Sequence, residues 1–183
     1  RGINTHVAGS FIVQEKGMFF NRVVITSPDG GIYIYDKRHL FRMGGEDKVY
    51  TGGKENLTVN IKGWRIRPFI CYDLRFPVWS RNTSDGYDLA FYSANWPVVR
   101  EYHWDTLLKA RAIENQCYVA GVNRIGIDGK GIKYNGGSCV IGFRGEEIYS
   151  AGAESCVKTV ELSLDALQEY RKEFPAWMDA DQF

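Results

Sequence analysis

The sequence has no long apolar run, so no stretch of it suits a membrane-spanning helix. It has no excess of one charge: 23 Lys and Arg meet 22 Asp and Glu, for a net charge of +1. The two signs are interspersed, which excludes the basic footprint of a nucleic-acid binder or a polybasic membrane patch. Cysteines are few, and the four present (Cys71, Cys117, Cys139 and Cys156) form no CxxC pair. The three histidines, His6, His39 and His103, stand at no zinc-ligand spacing, so no metal site is predicted. A chain of this size needs no disulfide framework, and free thiols fit a reducing, cytoplasmic compartment. No repeat, low-complexity tract or linker interrupts residues 1–183, which read as one domain. There is also no initiator Met. The opening Arg1-Gly-Ile-Asn4 leads almost at once into a strand, as expected of an interior stretch of a longer protein.

What is present is a dense series of strand signals. Residues 7–14, 18–26 and 32–35 read as strands, with turns around Glu15-Lys16-Gly17 and at Pro28-Asp29-Gly30-Gly31. Residues 58–61 and 64–71 flank Lys62-Gly63, a further hairpin signal, and 88–94 is apolar enough to be buried on both faces. The clearest helix is 100–116, where Trp104, Leu107, Leu108 and Ala112 form one stripe. Residues 118–123 return as a buried strand, and further strands are predicted at 138–143, 146–150 and 157–162. Ser163 is a good N-cap for the last helix, with Leu162 and Leu167 placed as a hydrophobic staple, and Pro175 ends it. So many strands with two long helices predict an α/β fold in which helices cover sheets. Two helices leave much apolar strand surface bare, to be covered by a preceding segment or by a partner chain.

Two segments carry chemistry. Residues 64–77, WRIRPFICYDLRFP, run an apolar strand into Cys71 and then turn polar within two residues. A cysteine there points its sulfur at a fixed spot beyond the sheet edge. The Tyr72 backbone N–H can face that same spot, which is the logic of a nucleophile elbow. A small buried core cysteine is an equally good reading of this segment alone. In YIYDKRHLF at 33–41, Lys37 follows directly on a strand. Its ammonium could lower a thiol pKa or hold an oxyanion, although a solvated strand-end Lys is the commoner case.

Taken together, YDKRHLF at 35–41, CYDLRFP at 71–77, ANWP at 94–97 and RAIEN at 111–115 resemble the nitrilase superfamily of carbon–nitrogen hydrolases, and the resemblance spans nearly the whole chain. KRHLFRMGGE at 37–46 and FPAWMDAD at 174–181 are most similar to its omega-amidase branch. The resemblance implies a four-layer α-β-β-α sandwich, here lacking its first strand or strands and helix. It also implies a Glu–Lys–Cys catalytic set with no metal or organic cofactor. Cys71 matches the nucleophile, Lys37 the catalytic lysine, and Glu46 an auxiliary glutamate. The general-base glutamate belongs well before the lysine, where Glu15, in a hairpin turn, is the only Glu. The implied activity is hydrolysis of a small-molecule amide, such as 2-oxoglutaramate, by a homodimer or larger homo-oligomer. Nitrile or N-carbamoyl hydrolysis, or a non-catalytic binding subunit, are the alternatives.

Four further expectations concern individual residues. Asn95 and Trp96 follow a buried strand and either line the substrate pocket or make an ordinary turn. Arg75 either grips a substrate carboxylate or, as the preferred reading, makes a structural ion pair. Arg111 lies in the apolar stripe three residues before Glu114, which predicts a buried or interfacial pair. Cys117, Cys139 and Cys156 read as inert core or strand residues, and a Cys–His hydrolase using His39 or His103 is the rival chemistry.

Overall fold

The computed structural model describes residues 4–83 and 86–181. The chain opens with β1 (Val7–Glu15), β2 (Met18–Thr26) and β3 (Ile32–Asp36), an antiparallel sheet in that order. Glu15 pairs with Met18, so Lys16-Gly17 is a two-residue loop, and both residues have positive φ, +50° and +78°. That is the type I′ turn favoured where two twisted strands must reverse tightly. Lys62-Gly63 repeats it between β4 (Val59–Ile61) and β5 (Trp64–Ile70), at +50° and +87°.

After β5 come a short helix α1 (Pro77–Ser80), β6 (Leu89–Ala94), the long helix α2 (Glu101–Asn115) and β7 (Tyr118–Asn123). A small hairpin follows, β8 (Ile125–Ile127) with β9 (Lys133–Asn135), and then β10 (Cys139–Ile141), β11 (Glu147–Ser150) and α3 (Leu164–Glu173). The larger sheet has the order β11-β10-β7-β6-β5-β4. Its centre, β5, β6 and β7, is parallel, and its flanks are antiparallel. Among the described residues no helix is long and apolar enough to cross a membrane.

One core joins the two sheets and α2. Val23, Ile25, Tyr35, Phe69, Tyr92, Trp104 and Leu108 are all buried within it. Trp104 donates its indole N–H to the Gly137 carbonyl at 2.8 Å. A Cβ on Gly121 would come within 2.7 Å of both Trp104 and Leu108, so only glycine lets α2 lie this close to β7. A second cluster, Tyr118, Phe143 and Leu167, seats α3. Ser163 caps α3 by accepting from the Ala166 N–H at 3.2 Å, and Leu162 packs into the same cluster as Leu167, as a staple requires. Phe11, Ile12, Ile32 and Ile34 of the first sheet stay exposed, the bare apolar surface that the sequence predicts.

Two local expectations fail. Residues 157–162 form no strand: they pair with no described neighbour and mostly face solvent, with β11 already closing the sheet edge. Cys156 accordingly is exposed rather than packed, although Cys117 and Cys139 are buried. Arg111 is buried as expected, paired with Glu114 at 2.8 Å.

Candidate active site

The three parallel strands end side by side. The register Ile70–Ser93–Val122 sets their ends level, so β5 runs into Cys71, β6 into Asn95 and β7 into Arg124. In open α/β sheets ligands bind beyond the carboxyl ends of such strands. A cleft of about 680 Å³ opens there. Lys37, Glu46, Cys71, Tyr72, Asn95 and Trp96 all line it.

Cys71 begins a 3₁₀ turn, Cys71–Arg75, at φ +45°. A side chain in this left-handed region costs on the order of 1–3 kcal/mol and persists only where surrounding contacts enforce it. The effect is an elbow that swings the thiol off the strand axis, 3.8 Å from the Asn95 carbonyl oxygen. The Tyr72 N–H lies in the first turn, where backbone donors have no partner within the helix. Burial pushes the Cys71 thiol above its ordinary range, and the Lys37 charge pulls it back.

Lys37 follows β3 and is fixed through its backbone. Its N–H donates to Asn21 at 2.8 Å, and its carbonyl accepts from Gly53 at 2.9 Å. The side chain is 2% exposed, and Nζ meets Glu46 Oε2 at 2.6 Å. A buried ammonium needs such a carboxylate to offset its desolvation. The same Glu46 oxygen accepts the Phe41 N–H at 2.7 Å, which aims it.

Asn95 presents its backbone carbonyl to Cys71, while Trp96 is almost wholly buried. The Trp96 indole N–H donates to Arg100 O at 2.7 Å, and its backbone N–H donates to Asn123 Oδ1, also at 2.7 Å. Trp96 is therefore a rigid wall of the cleft. Arg75 departs from the preferred expectation, because it makes no ion pair among the described residues. Its guanidinium lies 4.8 Å above the Trp96 ring, facing the cleft, and Nη2 donates to His103 Nδ1 at 3.0 Å. The other histidine, His39, turns Nδ1 to Asp73 at 2.8 Å rather than to Cys71.

The sequence reading missed two parts of the site. One is the β8–β9 hairpin, whose tip residues Asp128 and Lys130, with Tyr134, line the cleft. Asp128 accepts from Lys130 N, Ile132 N and the Tyr134 hydroxyl, which makes the tip rigid. The turn signal Asp128-Gly-Lys-Gly131 marks it in hindsight. The other is Asp73, buried beneath the elbow. Among the described residues no cluster suited to a metal ion occurs.

Comparison with known proteins agrees with this geometry. The carbon-nitrogen hydrolase family matches residues 1–172. The chain is 54% identical over 181 residues to omega-amidase YafV of Escherichia coli, covering 98% of this chain and 70% of that one. It is 36% identical to the 2-oxoglutaramate amidase of Bacillus subtilis, covering 94% of this chain and 67% of the other. Among solved structures, XC1258 of Xanthomonas campestris, a CN-hydrolase superfamily protein carrying an arsenic adduct in its active site, superposes with a TM-score of 0.96 at 47% identity. That match covers 98% of this chain and 71% of the other. With this fold and these relatives, the chain belongs to the carbon–nitrogen hydrolase family, the nitrilase superfamily.

Proposed function

We propose that the chain hydrolyses the terminal amide of a small dicarboxylate monoamide, such as 2-oxoglutaramate, with Cys71 as nucleophile. One observation carries this reading: the Cys71 thiol and the buried Lys37–Glu46 pair face one cleft. The omega-amidase and 2-oxoglutaramate amidase activities named for its relatives support the substrate class.

The steps follow from the groups present. A general base takes the Cys71 proton, and the thiolate sulfur bonds to the amide carbonyl carbon. The electron pair of the C=O bond moves onto oxygen, where the Lys37 ammonium and the Tyr72 N–H stabilise it. The tetrahedral intermediate collapses, the C–N bond breaks, and the nitrogen leaves as ammonia with the proton returned by the base. The same base then takes a proton from water, whose oxygen adds to the thioester carbonyl; the C–S bond breaks, the acid leaves, and the proton returns to the Cys71 sulfur. Glu46 is committed to Lys37 and the Phe41 amide, and Asp128 to its own hairpin. Those bonds hold each carboxylate in place, and the family resemblance puts the general-base glutamate upstream of Lys37. The Glu15 carboxylate there turns to Arg22 at 2.8 Å.

Arg75 supports the acid end of the substrate. It lies four residues beyond Cys71 in the same turn, faces the cleft, and has no carboxylate partner among the described residues. A carboxylate on the ligand would complete it. The reading also includes a cytoplasmic setting, which the free cysteines suit. It includes a homodimer as well. Tyr102 of α2 and the tail residues Phe174 and Met178 are exposed apolar groups for a second copy to cover.

The test is ammonia release from 2-oxoglutaramate, an aliphatic nitrile and an N-carbamoyl amino acid, with acyl-enzyme trapping by mass spectrometry. The amide should be preferred, with an acyl adduct on Cys71 that Cys71→Ala abolishes together with activity. Undiminished turnover by Cys71→Ala would overturn the nucleophile. Preference for the nitrile or carbamoyl compound would overturn the substrate class.

A further inference from the structure

Asp73 is fully buried, and its carboxylate accepts four hydrogen bonds. Oδ1 takes the His39 backbone N–H at 2.9 Å and the His39 ring Nδ1 at 2.8 Å. Oδ2 takes the Tyr35 hydroxyl at 2.8 Å and the Ile70 N–H at 3.0 Å. The donors are distributed in a telling way. Tyr35 and His39 stand two residues before and two residues after Lys37. Ile70 immediately precedes Cys71, and Asp73 itself lies two residues beyond it. One carboxylate thus brackets both segments of the Cys–Lys pair. Trp79 steadies the bracket by donating its indole N–H to the Tyr35 oxygen at 3.0 Å, and Phe76 stacks on His39 with centroids 3.8 Å apart.

We infer that Asp73, with His39 as its outer arm, is a positioning residue that sets the spacing of Lys37 and Cys71 and enforces the left-handed backbone at Cys71. The inference rests on the reading of those two residues as the catalytic pair. Charge does not explain Asp73, since its negative charge works against a thiolate at Cys71. Hydrogen-bond geometry does. Its four acceptor sites are filled by donors from the two chain segments that carry Lys37 and Cys71. An acceptor-only carboxylate also fixes the His39 proton on Nδ1, which makes the ring a strut between the Lys37 segment and Asp73.

The test compares His39→Ala, His39→Asn and Tyr35→Phe with wild type. Turnover is expressed per active thiol, titrated by stoichiometric acylation of Cys71, so that misfolded protein does not count. His39→Ala should lower kcat per titrated site roughly 10- to 100-fold, as a small misplacement of reacting groups does, with KM little changed. His39→Asn, whose amide N–H replaces Nδ1–H, should recover most of it, and Tyr35→Phe should fall between. Asp73→Asn must face a backbone N–H with its own NH₂ and is expected to lower stability strongly, so it is not the deciding variant. Unchanged kcat per titrated site in His39→Ala, with only a lower melting temperature, would overturn the inference and leave a purely structural bracket. Undiminished activity in Cys71→Ala would instead overturn the reading on which it rests.

Discussion

Arg111 donates Nη2 to the carbonyl oxygen of Leu74 at 2.7 Å, so the long helix α2 grips the Cys71–Arg75 turn from behind. The same guanidinium meets Glu114 at 2.8 Å and is buried. Replacing Arg111 by Met leaves the Leu74 carbonyl without its donor and Glu114 without its cation. Glu114 is a third exposed, which screens its part of the loss. The expected cost is about 2 kcal/mol, or roughly 4–8 °C in melting temperature for a chain of this size. Calorimetry that finds no change would show that α2 does not hold the turn.

Arg75 should discriminate substrates by charge. Arg75→Gln is expected to raise KM for 2-oxoglutaramate roughly 10- to 100-fold, the worth of a charge-assisted hydrogen bond. Its effect on a neutral aliphatic amide of equal length should be small. Arg75→Lys should restore affinity only partly, because an ammonium lacks the planar fork. Equal losses on both amides would remove Arg75 from carboxylate recognition.

Cys71 titrates between two opposed influences, burial raising its pKa and Lys37 lowering it. Lys37→Met removes the opposing charge. The pH profile of Cys71 alkylation by iodoacetamide should therefore move to higher pH in that variant. Cys117 and Cys139, pushed by burial to about 12, should stay unreactive near neutrality. A profile that Lys37→Met leaves in place would separate the lysine from the thiol.

Asp88 gives the fold an acid limit. Burial alone would raise its pKa, but hydrogen bonds from Arg65 and the charges of Arg65 and Arg171 outweigh it and hold the carboxyl below its ordinary 3.8. A depressed folded-state pKa adds stability that is fully present above the unfolded value. That stability is lost as pH falls from about 3.8 through the folded value. Asp88→Asn should be less stable at neutral pH and should show a shallower loss below pH 4. Parallel urea-denaturation curves of variant and wild type across that range would contradict the assignment.

The sequence made these elements legible to different degrees, for physical reasons. The I′ turns at Lys16-Gly17 and Lys62-Gly63, the Ser163 cap and the α2 stripe are local features, and local chemistry is written in neighbouring residues. The 157–162 segment failed because its alternation has no partner strand, which only the sheet order reveals. Cys71 and Lys37 stood out by motif. The bond from Lys37 to Glu46 spans nine residues and those from Asp73 to Tyr35 and His39 span 38 and 34, so the distances came from the fold alone. Arg75 was misjudged because its partners within the fold are an indole face and an imidazole nitrogen, which a search for an acidic partner in the sequence does not find.

On the proposed reading of Cys71 as nucleophile, its φ of +45° sets the chain's comfort against its chemistry. Glycine would relax this backbone, whereas alanine would keep the strain and lose only the sulfur. Two inactive variants should therefore differ in stability, with Cys71→Gly the more robust. The same conflict makes the position a recorder of selection. A descendant released from catalysis would drift toward glycine or asparagine at 71, and a cysteine kept there against that pull marks a thiol still in use.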